Sequence, residues 1–252
     1  MTAEAETDRQ QRLRDEFVEA HGYWNDALGG LLALDADFFE AYLHFSSVPW
    51  RNGALEPKVK EFVYIAVDGA ATHLYEPGLR LHIRRAIEHG ATREELMEVL
   101  QLTSTLGIHS CTVGVPILVE AAGRTGPSEP DERRTALRAD FESKRGYWHP
   151  FWDGMLDLDP DFFEAYLEFS SVPWTTGVLE PKVKELIYTA FDASATHMYI
   201  AGLKQHIENA LGYGATPAEI MEVLELAAIV GIHTCTMGVP ILLEELERAG
   251  AA

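Results

Sequence analysis

The sequence predicts an all-α protein built from two tandem helical repeats related by pseudo-two-fold symmetry, and three observations predict it. First, Thr72-His73-Leu74-Tyr75-Glu76-Pro77-Gly78-Leu79-Arg80-Leu81-His82-Ile83 returns 124 residues later as Thr196-His197-Met198-Tyr199-Ile200-Ala201-Gly202-Leu203-Lys204-Gln205-His206-Ile207. Between 34–118 and 158–242 roughly two thirds of positions are identical with no insertion, far more than a shared fold requires. Second, apolar residues recur at helical spacing, with caps and prolines where helices would start, and nothing reads as a strand. Third, Gly123-Arg124-Thr125-Gly126-Pro127-Ser128-Glu129-Pro130 is rich in chain breakers and separates the copies. The expected organisation is a repeat at 1–123, a linker at 124–131 and a second repeat at 132–252, so any chemistry is set out twice.

The elements follow in order. Residues 1 to about 10 are polar and read as a frayed end. Leu13, Phe17, Val18 and Trp24 then recur at helical spacing, predicting an amphipathic helix from Arg12 to about Leu28. Asp35 reads as the N-cap of a helix from Ala36 to Ser46 whose face is Phe38, Phe39, Tyr42, Leu43 and Phe45. Pro49 is expected to end it by pushing Val48 out of helical geometry. Pro57 suits the first turn of the next helix, where a missing N–H costs nothing, and that helix is read to Leu74. It is mostly apolar, yet Glu61, Asp68 and Thr72 share one face with Tyr64 beside them. Glu185, Tyr188, Asp192 and Thr196 repeat the pattern while their neighbours change, which favours an enclosed polar cavity over a wet surface. After the break at Glu76-Pro77 a helix carries Leu79, His82, Ile83, Ala86 and Ile87 inward and ends near Gly90. Thr92-Arg93-Glu94-Glu95 is a capping box opening a helix to about Leu106, with Leu96, Val99, Leu100 and Thr103 inside and Glu94, Glu95 and Glu98 outside. Gly107 breaks it before a helix over Val113 to Ala122, where Pro116 needs a first turn or a kink. The second copy is read as helices near 132–152, 160–170, 181–198, 199–211, 217–230 and 237–248.

Composition bounds the function. A formal charge of −20 argues against nucleic acid and anionic lipid, both of which need a basic surface. No apolar run is read as approaching the ~18 residues that span a membrane. The two cysteines, Cys111 and Cys235, occupy equivalent positions and cannot form a disulfide framework, so a reducing cytoplasm is expected. There is no CxxC for a redox dithiol or a thiolate zinc cluster.

The run Pro57-Lys58-Val59-Lys60-Glu61, then His82-Ile83, Ala86, Gly90-Ala91-Thr92, Glu95, Glu98-Val99-Leu100 and Gly107 resembles the carboxymuconolactone decarboxylase and alkylhydroperoxidase-D-like family. The second copy repeats it from Pro181 through Glu185, His206, Gly214-Ala215-Thr216, Glu219, Glu222-Val223-Leu224 and Gly231. The resemblance covers about 57–120 and 181–244. It implies an all-helical fold, pockets between protomers and a homo-oligomer, here a trimer of covalently fused dimers. Peroxidase members carry a CxxC ahead of the helix histidine; Tyr75 and Gly78, like Tyr199 and Gly202, stand in those places, so thiol peroxidase activity is not expected. Decarboxylase members carry Glu-Leu-x-x-His, and Gly78-Leu79-Arg80-Leu81-His82 keeps the histidine without that glutamate.

His82 and His206 match the family's functional histidine and are the leading acid/base candidates, with Glu61 and Glu185 orienting them or donating a proton. His73 and His197 with Tyr75 and Tyr199 are read as polarising a substrate oxygen. Asp68, Asp192, His109, His233, Trp50 and Trp174 complete the substrate-binding candidates. Lys58, Lys60 and Arg80 are candidates to balance a carboxylate, and Cys111 and Cys235 to reach a pocket. The expected function is a cofactor-independent lyase or isomerase acting on a small carboxylated or carbonyl metabolite. One alternative is a metal-dependent enzyme with a transition-metal ion on the His73, His82 and His109 cluster of the first repeat and on His197, His206 and His233 of the second. The other is a non-catalytic oligomeric ligand-binding protein.

Overall fold

The computed structural model describes residues 3–123 and 131–250. The first half runs α1 (Ala3–His21), α2 (Asp26–Leu34), α3 (Ala36–Asn52), α4 (Pro57–Gly69), α5 (Glu76–Glu88), α6 (Arg93–Ser104) and α7 (His109–Ala121), with a 3-10 turn at Thr105–Ile108. The second runs α8 (Glu132–Arg145), α9 (Asp153–Leu158), α10 (Pro160–Thr175), α11 (Pro181–Ala193), α12 (Ile200–Gly212), α13 (Pro217–Ile229) and α14 (His233–Ala249), with 3-10 turns at Pro150–Trp152 and Val230–Ile232. No strand occurs among the described residues. The expected linker lies outside them except for Asp131, which caps α8.

The halves share a core. α4 and α11 are apolar nearly all round, as a helix buried on every side must be, and they pack on each other at the centre. Val63 and Val67 meet Leu186, Ala190, Val223 and Leu226, while Phe62 and Ile65 meet Val99, Leu102, Ile187 and Phe191. Around this centre the last helix of each half covers the N-terminal helices of the other. Val239 and Leu243 of α14 join Phe17, Leu28 and Phe39, and Ile108 and Cys111 join Phe141, Trp152 and Phe163.

A polar clasp ties each half to the other. Glu222 of α13 accepts from the Ala54 and Leu55 N–H groups at 2.5 and 2.9 Å and pairs with Lys60 Nζ at 2.8 Å. Glu98 of α6 does the same for Val178 and Leu179 at 2.5 and 2.9 Å, and for Lys184 at 2.9 Å. Glu98 is therefore buried rather than on the outer face expected from the sequence. Lys60 and Lys184 also donate to the carbonyls of Pro49 and Pro173, so Lys60 is not available to a substrate. Lys58 pairs with Glu95, and exposed Arg80 with Glu76.

Several element boundaries differ from the sequence reading. α1 begins at Ala3, with Arg9 bridging Asp37 and Glu40 of α3, so residues 3–10 are helical rather than frayed. It ends at His21 because Gly22 is left-handed (φ 76°), and Asn25 caps a separate α2. α3 runs past Pro49 to Asn52; the Ser47 hydroxyl bonds to the Leu43 carbonyl, and the Pro49 carbonyl is held by Lys60. Phe38, Phe45 and Ile87 point outward. α4 stops at Gly69, leaving Thr72 exposed in a turn whose Leu74 is held at φ 48°; Met198 repeats this at φ 50°. The second half shows the same shifts, with α8 ending at Arg145, α10 reaching Thr175 and α11 ending at Ala193.

The joined runs 93–121 and 217–249 are long and apolar enough, by length and composition, to cross a membrane, although the sequence reading finds no such run. The reading splits each run at Gly107 or Gly231, whereas the chain passes through these glycines in a 3-10 turn without leaving helical geometry. Their inner parts carry the buried Glu98 and Glu222, while Val113, Ile117, Leu118, Met237, Ile241 and Leu242 are exposed.

Candidate active site

Two equivalent clefts form where the halves meet, and each draws on both. In the first, α4 supplies Tyr64, the following turn Tyr75, and α5 Gly78 and His82, while Glu61, Asp68 and His73 stand behind this lining. The start of α14 adds His233 and Thr236, and α1, α3 and their flanking loops add His21, Tyr23, Tyr42 and Trp50. The exchange of C-terminal helices brings His233, not His109, to His73 and His82. His109 instead bonds to His197 and lines the second cleft with His206. The expectation of one histidine cluster within each repeat is thereby corrected.

At the base of the first cleft His82 Nδ1 lies 2.7 Å from Glu61 Oε2 and its ring stacks on Tyr64 at 4.3 Å. Both His82 and Glu61 are buried. A carboxylate accepts and does not donate, so Nδ1 carries the proton and Nε2 is left for chemistry. Nε2 faces Asp68 Oδ2 at 4.0 Å. His206 repeats this with Glu185 at 2.6 Å, Tyr188 at 4.4 Å and Asp192 at 3.9 Å. Further out, His73 Nε2 meets His233 Nδ1 at 3.0 Å, and Tyr75 OH meets Thr236 Oγ1 at 2.7 Å with its ring stacked on His233. The second cleft has His109 Nδ1 to His197 Nε2 at 2.6 Å and Tyr199 OH to Thr112 at 2.6 Å.

Asp68 and Asp192 are fully buried, and neither oxygen of either carboxyl has a hydrogen-bond partner. Asp68 Oδ1 stands 3.9 Å from His73 and 3.6 Å from His233; Asp192 Oδ1 stands 3.9 Å from His197 and 3.7 Å from His109. Burial pushes the Asp68 carboxyl up to about 7 and Asp192 to about 8, against the pull of His82 in the first case and with repulsion from Glu185 in the second. Burial, then repulsion between imidazoles, brings His233 and His109 down to about 3. Only glycine fits beside these carboxylates, because a Cβ on Gly78 or Gly202 would overlap Asp68 Oδ2 or Asp192 Oδ2. Asp68 Oδ1, His73 Nε2 and His233 Nδ1 form a donor set for a metal ion, mirrored by His109, Asp192 and His197.

The open space is narrow, about 40 Å³ in the first cleft and about 20 Å³ in the second, room for one to a few waters, so a metabolite must part the side chains. Trp50 lines the first cleft, while Trp174 stands behind Tyr188, donating to its hydroxyl at 3.3 Å. Cys111 and Cys235 are half-buried in the outer apolar clusters and line neither cleft. The sequence reading misses His21, Tyr23 and Tyr42 and their counterparts Arg145, Tyr147 and Tyr166. A signal was present: His21-Gly22-Tyr23-Trp24 returns as Arg145-Gly146-Tyr147-Trp148 at the same offset, outside the stretch aligned above.

A family model described as the carboxymuconolactone decarboxylase family matches residues 36–108 and 160–232. A crystal structure from Burkholderia xenovorans LB400, described as a putative gamma-carboxymuconolactone decarboxylase subunit, is 55% identical. The match covers 95% of this chain and 98% of that one, with a TM-score of 0.92. No curated protein matches the chain.

Proposed function

We propose that this chain, which belongs to the carboxymuconolactone decarboxylase family, is an acid–base lyase or isomerase working without a cofactor on a small carboxylated or carbonyl metabolite. The observation that carries the reading is the buried Glu61–His82 pair, with Nδ1 committed to the carboxylate and Nε2 left without a hydrogen bond in a ring that lines the cleft, repeated in Glu185–His206. Glu61 fixes the ring and stabilises the imidazolium that forms when Nε2 takes a proton. In this reading Tyr75, which lines the cleft, turns its hydroxyl from Thr236 to a substrate carbonyl oxygen as charge gathers on it, and His73 supports that wall through His233. In a decarboxylation the bond to the departing carboxylate carbon breaks and CO₂ leaves, the electron pair moves toward that oxygen, and His82, protonated at Nε2 from solvent, delivers that proton to the carbon left behind. Neither cleft holds a thiol, which supports a reading other than thiol peroxidase. The test is a panel of carboxylated lactones and β-keto acids assayed for CO₂ release or isomerisation. Turnover of a member by the wild type and not by His82→Gln/His206→Gln supports the reading; equal turnover by both removes it.

A second reading is favoured by the unpartnered Asp68 oxygens. Asp68 Oδ1, His73 Nε2 and His233 Nδ1 lie 3.0 to 3.9 Å apart, close to the donor spacing around a divalent ion with bonds of about 2.0–2.2 Å. Such an ion would act as a Lewis acid on the substrate oxygen. Elemental analysis of protein purified without a metal-affinity tag decides the matter. One or two ions per chain, lost in His73→Ala/His197→Ala, establish the metal reading; none in either protein removes it.

The exposed apolar faces of α7 and α14 support assembly of further copies, in keeping with a trimer of this tandem chain. The wild type is expected to exceed one chain of 28.0 kDa by light scattering, and Ile117→Glu/Ile241→Glu to fall toward that mass. A wild type already at that mass contradicts the assembly.

A further inference from the structure

The two clefts share nearly every residue at their bases but differ in where a cation sits. At the first, Arg85 of α5 lies outside the pair, its Nε 3.6 Å from Glu61 Oε1 and its other nitrogens on Glu88 and the His21 carbonyl. The second has Asn209 there, donating to Glu185 at 3.2 Å. Its cation has moved to Arg145, the counterpart of His21, which lines the cleft with His109, Tyr199 and His206.

Arg145 is only 4% exposed, and its Nε and Nη1 have no hydrogen-bond partner. It is held by rings rather than by a carboxylate, with Trp174 and Tyr188 centroids at 5.2 and 5.5 Å and Phe141 at 5.8 Å. The Tyr166 hydroxyl lies beside it. Glu185 supplies the nearby negative charge, but its oxygens are engaged by His206 and Asn209. Arg145 and His206 both contact the Tyr188 ring, so the free donors and the proposed reactive imidazole share a wall. In the first cleft His21 bonds to the Phe17 carbonyl through Nδ1 and presents an imidazole nitrogen instead of a guanidinium.

A buried guanidinium with idle N–H donors and no carboxylate partner is suited to an anion, with which it can form short charge-assisted hydrogen bonds. We infer that the second cleft selects a ligand bearing a carboxylate, received by Arg145 beside His206, and that the first cleft lacks this selection. The duplicated sites have thus diverged in what they bind while keeping the same acid–base pair. The inference rests on reading the clefts as substrate sites, yet its test is binding and does not need turnover.

The probe is 4-fluorobenzoate with 4-fluorobenzamide as its neutral match, followed by ligand ¹⁹F NMR at constant ionic strength. The wild type is expected to bind one benzoate per chain and to prefer it over the benzamide by about tenfold or more. Arg145→His/Asn209→Arg gives the second cleft the residues of the first, a combination this fold already accommodates, and should erase the preference. His21→Arg/Arg85→Asn should create a second benzoate site. Equal binding of the two probes by the wild type, or a preference that survives Arg145→His/Asn209→Arg, overturns the inference. Loss of turnover in the His82 and His206 variants bears on the acid–base reading alone, so the two can fail separately.

Discussion

Replacing His82 and His206 together by glutamine should leave the helices intact and lower turnover by about two to four orders of magnitude, the contribution usual for a positioned acid–base group. Glutamine fills much of the imidazole volume and can still bond to Glu61 or Glu185, so the buried carboxylates are not stranded. It cannot carry a proton. Each single variant should retain the activity of the other cleft, because the pairs sit on opposite sides of the α4–α11 centre with separate substrate walls. For a carboxylate substrate the His206 variant should lose more, since Arg145 stands only in that cleft. Circular dichroism with steady-state rates reads all of this. A double variant with wild-type rates would falsify the acid–base assignment.

The second large effect falls on stability. Glu98→Ala should cost about 3–5 kcal/mol, since it leaves Lys184 buried without its counter-charge and two backbone N–H groups without an acceptor. Glu222→Ala should cost the same through Lys60, Ala54 and Leu55. The two clasps share no residue, so the double variant should lose more than either single one, toward the whole stability of about 5–15 kcal/mol typical of a domain. Urea unfolding followed by far-ultraviolet circular dichroism and tryptophan fluorescence measures this. A loss below about 1 kcal/mol for Glu98→Ala, the range of exposed ion pairs, would show that the clasp does not tie the halves together.

Local features were legible in the sequence where the cause is local. Asp35 caps α3, Thr92 and Glu95 form their capping box, and Pro57 and Pro181 open α4 and α11 as expected. The Glu61 and His82 pairing was also accessible, because both lie within one repeat and carry the family pattern. What escaped depends on the other half. Glu98 has the spacing of a solvent-facing acid and is buried only because the 177–179 loop of the second repeat descends onto it. His233 cannot be assigned to His73 without knowing that α14 crosses to the first half. Pro49 reads as a stop from its effect on the local backbone alone, whereas α3 continues past it with the Pro49 carbonyl captured by Lys60 of the next helix. The aromatic walls lie in the N-terminal helices of each repeat, outside the most specific part of the resemblance, and Arg145 went unseen with them.

The most direct measurement is deuterium incorporation during turnover in D₂O, using the first panel compound the wild type converts and reading the product by NMR. One solvent deuteron is expected at the carbon that takes up the proton, and in His82→Gln/His206→Gln its incorporation should fall together with product formation. Product formed at an undiminished rate by that variant, with the same deuteron in place, would contradict it.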